Sequence, residues 1–157
     1  MSLIVSADYY YETEKGYEFD PRKLPQAHGE CLKGFTEEIL CSYEHGFYPV
    51  VIVMSGIPGS GKSYIAEKLL REAKSEGHNL LVVDNTNLSA WEASPYIALA
   101  NAYSNVTPKI LRVDTPFHLC AKRQTHNVPL NNLRAMHERF LKPDFPPFWK
   151  VETVKGH

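Results

Sequence analysis

One stretch constrains this chain more than any other. Val50-Val51-Ile52-Val53-Met54, a β-branched run suited to a strand buried on both faces, leads through Ser55 into Gly56-Ile57-Pro58-Gly59-Ser60-Gly61-Lys62-Ser63. That segment matches G-x-x-x-x-G-K-[ST] at each fixed position. Lys62 to Glu76 then reads as an amphipathic helix, with Ile65, Leu69, Leu70 and Ala73 on one side and Gly77 as its stop. The glycines let consecutive backbone N–H groups curl around phosphate oxygens, and the helix directs its positive end at the anion. Residues 56–63 with Tyr64 are therefore expected to bind a nucleoside triphosphate, ATP, with Lys62 on its β- and γ-phosphates and the Ser63 hydroxyl on Mg²⁺.

The rest of the chain repeats the alternation of apolar run and amphipathic stretch. Strands are expected at Leu3–Val5, Leu80–Val83, Lys109–Val113 and, shorter, Val151–Val154. Helices are expected near Gln26–Tyr43, from Ala90 to Tyr103 with Ser89 as N-cap, near Phe117–Gln124 and near Leu130–Leu141. Tyr9 to Asp20 reads as a loop rich in aromatics and acids. This pattern predicts a three-layer α/β/α sandwich around a mainly parallel sheet of about five strands, in one domain spanning 1–157. No internal repeat interrupts it.

Charge and cysteine content exclude other classes. Seventeen Lys+Arg against eighteen Asp+Glu rule out a polycation holding nucleic acid by bulk charge, leaving room for a local basic groove between Lys109 and Arg139. The longest apolar run is too short to span a bilayer, and the first residues lack the basic segment of a signal peptide. Cys31, Cys41 and Cys120 form no CxxC, suit a reducing cytoplasm, and are expected to be buried apolar residues. His28, His118 and His137 have no metal-ligand spacing.

Several short motifs stand together: Ser6-Ala7-Asp8 after the first strand, Gly16-Tyr17-Glu18-Phe19-Asp20, Ala27-His28, Asp84-Asn85-Thr86-Asn87, Trp91-Glu92 with Pro95-Tyr96, and His126-Asn127-Val128-Pro129 before Met136-His137-Glu138-Arg139-Phe140. Jointly they resemble the polynucleotide-kinase-like P-loop proteins, which include polynucleotide 5′-hydroxyl kinases and the kinase domain of the NEDD4-binding-protein-2 family. The likeness runs from Leu3 to about Val154. In that family the P-loop unit comes first; here the Ser-x-Asp unit (3–48) precedes the P-loop unit (50–78), with the remainder (80–157) in family order. The first two βα units have exchanged places, by design or by natural rearrangement. The resemblance implies a sheet with the Leu3 strand at the edge and the Val50 strand between the Leu80 and Lys109 strands. Such a rewiring keeps both crossovers right-handed and all strand C-termini on one rim.

The resemblance also implies roles. Asp8 would be the general base for the acceptor hydroxyl, or else a loop carboxylate capping its own turn. Asp84 would hold Mg²⁺ through water; Asn85 and Asn87 would meet the acceptor, or form an Asx-turn before Ser89. Arg123 would be the lid arginine on the transferring phosphates, or a solvated helix residue. Family members often carry an arginine three residues after the Asp; here Tyr11 stands there, and a second lid arginine is replaced in Gln124-Thr125-His126. Tyr9, Tyr10, Tyr11, Tyr17 and Phe19 either stack bases or anchor their loop, and Arg134 and Arg139 are expected in structural ion pairs. The implied activity is ATP-dependent transfer of a phosphoryl group to a hydroxyl, on a nucleotide or single-stranded nucleic acid 5′ end, by a monomer. A small-metabolite kinase, or an ATP-binding module without useful catalysis, are the other readings.

Overall fold

A computed structural model describes residues 2–156. Its main sheet has the order β1 (Ser2–Val5), β5 (Leu80–Asp84), β4 (Val50–Ser55), β6 (Thr107–Asp114), β7 (Val151–Lys155), and each neighbouring pair is parallel. Leu3–Val5 lies at the edge, and β4 lies between β5 and β6, the order expected above. The register aligns Ser2 and Val50 with Leu80, and Val50 with Thr107. These pairings bring the C-terminal ends of β1, β5 and β4 side by side.

Alternation along the strands divides the core. Val51, Val53, Leu81, Val83 and Ile110 face α1 (Leu24–Glu44) and α3 (Ala90–Asn101), where Ala27, Phe35, Ile39, Ala93 and Tyr96 bury against them. Ile52, Met54, Leu80, Val82, Leu111 and Val113 face α2 (Lys62–Glu76) through Ile65, Ala66, Leu69 and Ala73. Period-two alternation with apolar residues on both faces is what helices on both sides of a parallel sheet require. A third, smaller cluster (Ile57, Leu88, Cys120, Leu133, Phe140) sits under α4 (Phe117–Arg123) and α5 (Leu130–Leu141).

Five expectations need correction. Tyr9–Asp20 is not a plain loop: a 3₁₀ turn over Ala7–Tyr11 runs into a small antiparallel hairpin, β2 (Glu12–Thr13) and β3 (Gly16–Tyr17). Cys41 is exposed, on the outer side of α1, while Cys31 and Cys120 are buried. Arg134 stacks over the Phe117 ring instead of pairing with an acid, whereas Arg139 does pair, with Glu92 at 3.0 Å. The cations expected to form a basic approach are largely engaged internally: Lys109 pairs with Glu152, and Arg112 donates to the Phe140 carbonyl and stacks on its ring. α1 begins two residues early at Leu24, after Asp20 caps the 3₁₀ turn Pro21–Lys23 and holds Arg22 through both carboxylate oxygens.

Candidate functional site

The phosphate loop connects β4 to α2. Gly59 and Gly61 both take positive φ, +82° and +92°, a conformation that Cβ-bearing residues avoid. A Cβ on Gly59 would also collide with the Cys120 carbonyl, so the loop and α4 pack as close as backbone allows. Three contacts brace the loop from outside. Gly56 N–H donates to the Thr86 carbonyl at 2.9 Å, the Thr115 hydroxyl donates to the Ser60 carbonyl at 2.6 Å, and Asn87 Nδ2 donates to the Met54 carbonyl at 2.9 Å. α2 starts at Lys62 with no side-chain cap, which leaves its first N–H groups for an anion. Lys62 is half-buried and Ser63 and Tyr64 are exposed there. The Ile57 side chain does not face a ligand; it is buried in the third cluster, so only its backbone is available to a nucleotide.

Ser63 Oγ donates to Asp84 Oδ2 at 2.7 Å. Asp84 is buried, and its Oδ1 has no hydrogen-bond partner. Burial pushes this carboxyl above its usual range, against the pull of Lys62 and the Ser63 hydroxyl, while Asp8 and Glu67 add to the rise. A buried oxygen without a partner, beside a hydroxyl and under a phosphate loop, is a hard-donor set that fits Mg²⁺.

Asp8 stands one strand away, and its surroundings explain the Ser-x-Asp spacing. Ser6 Oγ caps the 3₁₀ turn by accepting from Asp8 N–H at 3.2 Å, and Asn85 Oδ1 accepts from Ala7 N–H at 2.8 Å. Two adjacent backbone N–H groups are thus pinned by side chains, which fixes the direction of the Asp8 carboxylate. Tyr17, on β3, donates from its hydroxyl to Asp8 Oδ1 at 3.2 Å. His126, from the segment after α4, stacks on the Tyr17 ring (centroids 4.1 Å apart, planes 7° apart) and places Nδ1 4.0 Å from Asp8 Oδ2. Burial first, then the Asp8 charge, drive the Tyr17 hydroxyl far above its usual range, so it remains a donor. The Asp8 side chain is nonetheless 47% exposed, open to a substrate.

Asn85 and Asn87 make internal hydrogen bonds of their own. Both are buried; Asn85 holds Ala7 and donates weakly toward Cys31 Sγ, and Asn87, at φ 41°, ties the loop after β5 to the end of β4. They position Asp8 and the phosphate loop. Tyr11, in the place of the family's arginine, is 2% exposed and packed edge-on against Tyr17 and tilted against Phe19, an anchor for the hairpin. Tyr9 and Phe19 remain exposed. Arg123 closes α4 on its exposed side; its charge and that of Lys62 both act on the Cys120 thiol, which burial nevertheless raises. The α4 end therefore lies beside the phosphate loop. Sequence reasoning missed Tyr17 and His126 as partners of Asp8, because they come from segments 9 and 118 positions away along the chain.

The family model for the AAA domain matches residues 65–143, half of the chain, and the chain belongs to that family. A model for zeta toxin matches residues 36–91, which include the phosphate loop. Among solved structures, the chain is similar to a gluconokinase from Sinorhizobium meliloti 1021 at 16% identity, over 70% of this chain and 84% of that one, with a TM-score of 0.49. By fold and family it is a P-loop kinase, an enzyme of phosphoryl transfer from a nucleoside triphosphate. Among the described residues no helix is long and apolar enough to cross a membrane, and no group of three or more His, Cys, Asp or Glu is placed to hold a metal ion.

Proposed function

We propose that the chain transfers the γ-phosphoryl group of ATP to a hydroxyl, the 5′-OH of a nucleotide or polynucleotide. The carrying observation is the Asp8 carboxylate, half-exposed, aimed by Ser6, Asn85 and Tyr17, and set one strand from the Ser63–Asp84 pair. Asp8 takes the proton of the attacking hydroxyl as the new O–P bond forms and the bond from the γ-phosphorus to the bridging oxygen breaks, leaving ADP. Lys62 and the backbone of residues 56–63, with Tyr64 beside them, hold the triphosphate. Arg123, at the end of α4, meets the charge that develops on the transferring group. The Ser63 hydroxyl would ligate Mg²⁺ and Asp84 would hold it through water; the ion would supply positive charge to the phosphate oxygens.

The acceptor assignment is supported by the motifs shared with polynucleotide-kinase-like proteins. The exchanged order of the 3–48 and 50–78 units within one 1–157 domain rests on the order of those same motifs along the chain. Incubation with γ-labelled ATP, a 5′-OH oligonucleotide and a panel of polyols tests the reading. Label is expected at the 5′ end, dependent on Mg²⁺. Label on a polyol alone, or release of inorganic phosphate alone, would replace it.

A further inference from the structure

A cavity of about 720 Å³ lies between the N-terminal halves of α1 and α3. Leu24 and Leu32 on α1 and Pro95 and Ala98 on α3 line it, and Trp91, 85% exposed, stands at its rim. Among the described residues no Lys or Arg lines it, and His28 on α1 does. Glu92, its one carboxylate, is already engaged by the Leu88 and Ser89 N–H groups and by Arg139. Asn85, Thr86 and Asn87 form its inner end, and that tripeptide joins both halves of the site: Asn85 holds the residue before Asp8, and Thr86 accepts from Gly56 at the start of the phosphate loop. A body seated in the cavity would therefore abut the strip between Asp8 and the phosphate loop.

We infer that this cavity holds the base of a nucleoside acceptor, either a free nucleoside or the terminal unit of a strand, while its 5′-hydroxyl reaches Asp8. The inference rests on the reading of Asp8 and the phosphate loop as the transfer centre. Its volume falls within the range of small-molecule sites, about 300–1,000 Å³. The lining selects the chemistry. Aliphatic and proline surfaces with an aromatic rim favour a flat ring with two apolar faces, and the polar groups at the inner end meet only its edge. A polyol would leave most of its hydroxyls against apolar walls, without partners. A sugar phosphate would find no lysine or arginine among the described lining residues, only the His28 imidazole.

Gly29 provides the test. It lines the cavity, and a Cβ added there meets nothing within 4 Å. Gly29→Leu adds bulk at the cavity wall from an open Cβ position, and replacing a mid-helix glycine favours α1. The readouts are the acceptor KM with thymidine and with a 5′-OH dinucleotide, ATP affinity by calorimetry, and quenching of tryptophan emission by adenosine in the parent and in Trp91→Phe. Gly29→Leu is expected to raise KM for both acceptors about tenfold or more, with ATP affinity unchanged and Gly29→Ala close to the parent. A higher KM for the dinucleotide alone would assign the site to strand ends; for thymidine alone, to free nucleosides. Transfer to 5′-hydroxyls with a KM indifferent to Gly29→Leu would overturn the cavity assignment and leave the transfer centre standing. Nucleoside binding that Gly29→Leu abolishes, without transfer to any hydroxyl, would keep the cavity and overturn the role of Asp8. Transfer to polyols without nucleoside binding would overturn both.

Discussion

The phosphate-loop side and the Asp8 side occupy neighbouring strand ends but are assembled differently. On the first, one unbroken stretch, β4, residues 56–61 and α2, supplies the anion cradle, and distant residues such as Thr115 and Asn87 only brace it. On the second, Ser6 and Asn85 hold the backbone N–H groups of Asp8 and Ala7, while Tyr17, with His126 stacked on it, meets the Asp8 carboxylate, so three distant segments converge on one turn. A contiguous cradle is carried by backbone conformation and survives when its unit is moved in chain order. A site made of converging side chains depends on every element arriving in register. Substitutions should therefore act all-or-none on the first side and in graded fashion on the second.

The largest effect is expected from Lys62→Ala. Transfer of label should fall by about a thousandfold or more, with weaker ATP binding by calorimetry, because the charge assigned to the β- and γ-phosphates at the start of α2 is lost. A variant binding ATP as tightly as the parent would break the assignment of the cradle. Next comes Asp8→Asn, which keeps shape and loses basicity: transfer should drop about 10²–10⁴-fold at unchanged ATP affinity. Parent-like turnover would remove Asp8 from the chemistry.

Tyr17→Phe sharpens the contrast, since it deletes one hydrogen bond and keeps the stack on His126. Loss of a bond worth about 1 kcal/mol corresponds to roughly fivefold in kcat. With the Tyr17 hydroxyl raised by burial and by Asp8, the deficit should be constant from neutral pH into the alkaline range. A deficit that vanishes above neutrality would mean that Tyr17 ionises and is not the donor described.

The smallest effect concerns stability. Asp84 has its folded-state pKa raised, chiefly by burial, so ionisation above that pKa weighs against the folded state. Below the unfolded-state pKa both states are protonated and the penalty is absent; it grows as pH rises and is complete above the folded-state value. Asp84→Asn should accordingly melt about 2–4 °C higher than the parent at neutral pH, and the gain should shrink on acidification. Mg²⁺ should no longer shift its Tm. A lower Tm at neutral pH would show that the Ser63 bond outweighs burial.

The sheet order was expected before any coordinates from the family resemblance, and local and topological causes agree with it: runs apolar on both faces, a glycine stop after α2, and crossovers that turn one way. Helix limits such as Lys62–Glu76 and Leu130–Leu141 followed from side-chain period and, for the first, from Gly77. The hairpin inside Tyr9–Asp20 escaped notice because two-residue strands have no measurable alternation. Asn85 and Asn87 were legible as important, but their bonds to Ala7 N–H and the Met54 carbonyl were not, since an amide shows its partner only when a distant N–H or carbonyl arrives beside it.

What the amino-acid order determined by itself is the anion cradle, the layered α/β architecture and the candidacy of Asp8 and Asp84, all carried by residues within a few positions of one another. What only the tertiary structure decided is how Asp8 is held, which tyrosines anchor and which remain open, and that a cavity lies between α1 and α3. The reason is physical. Backbone conformation and side-chain period are set by neighbours in sequence, whereas a hydrogen bond such as Ala7 to Asn85, or the stack of Tyr17 on His126, exists only after long loops have closed, and no local preference records it.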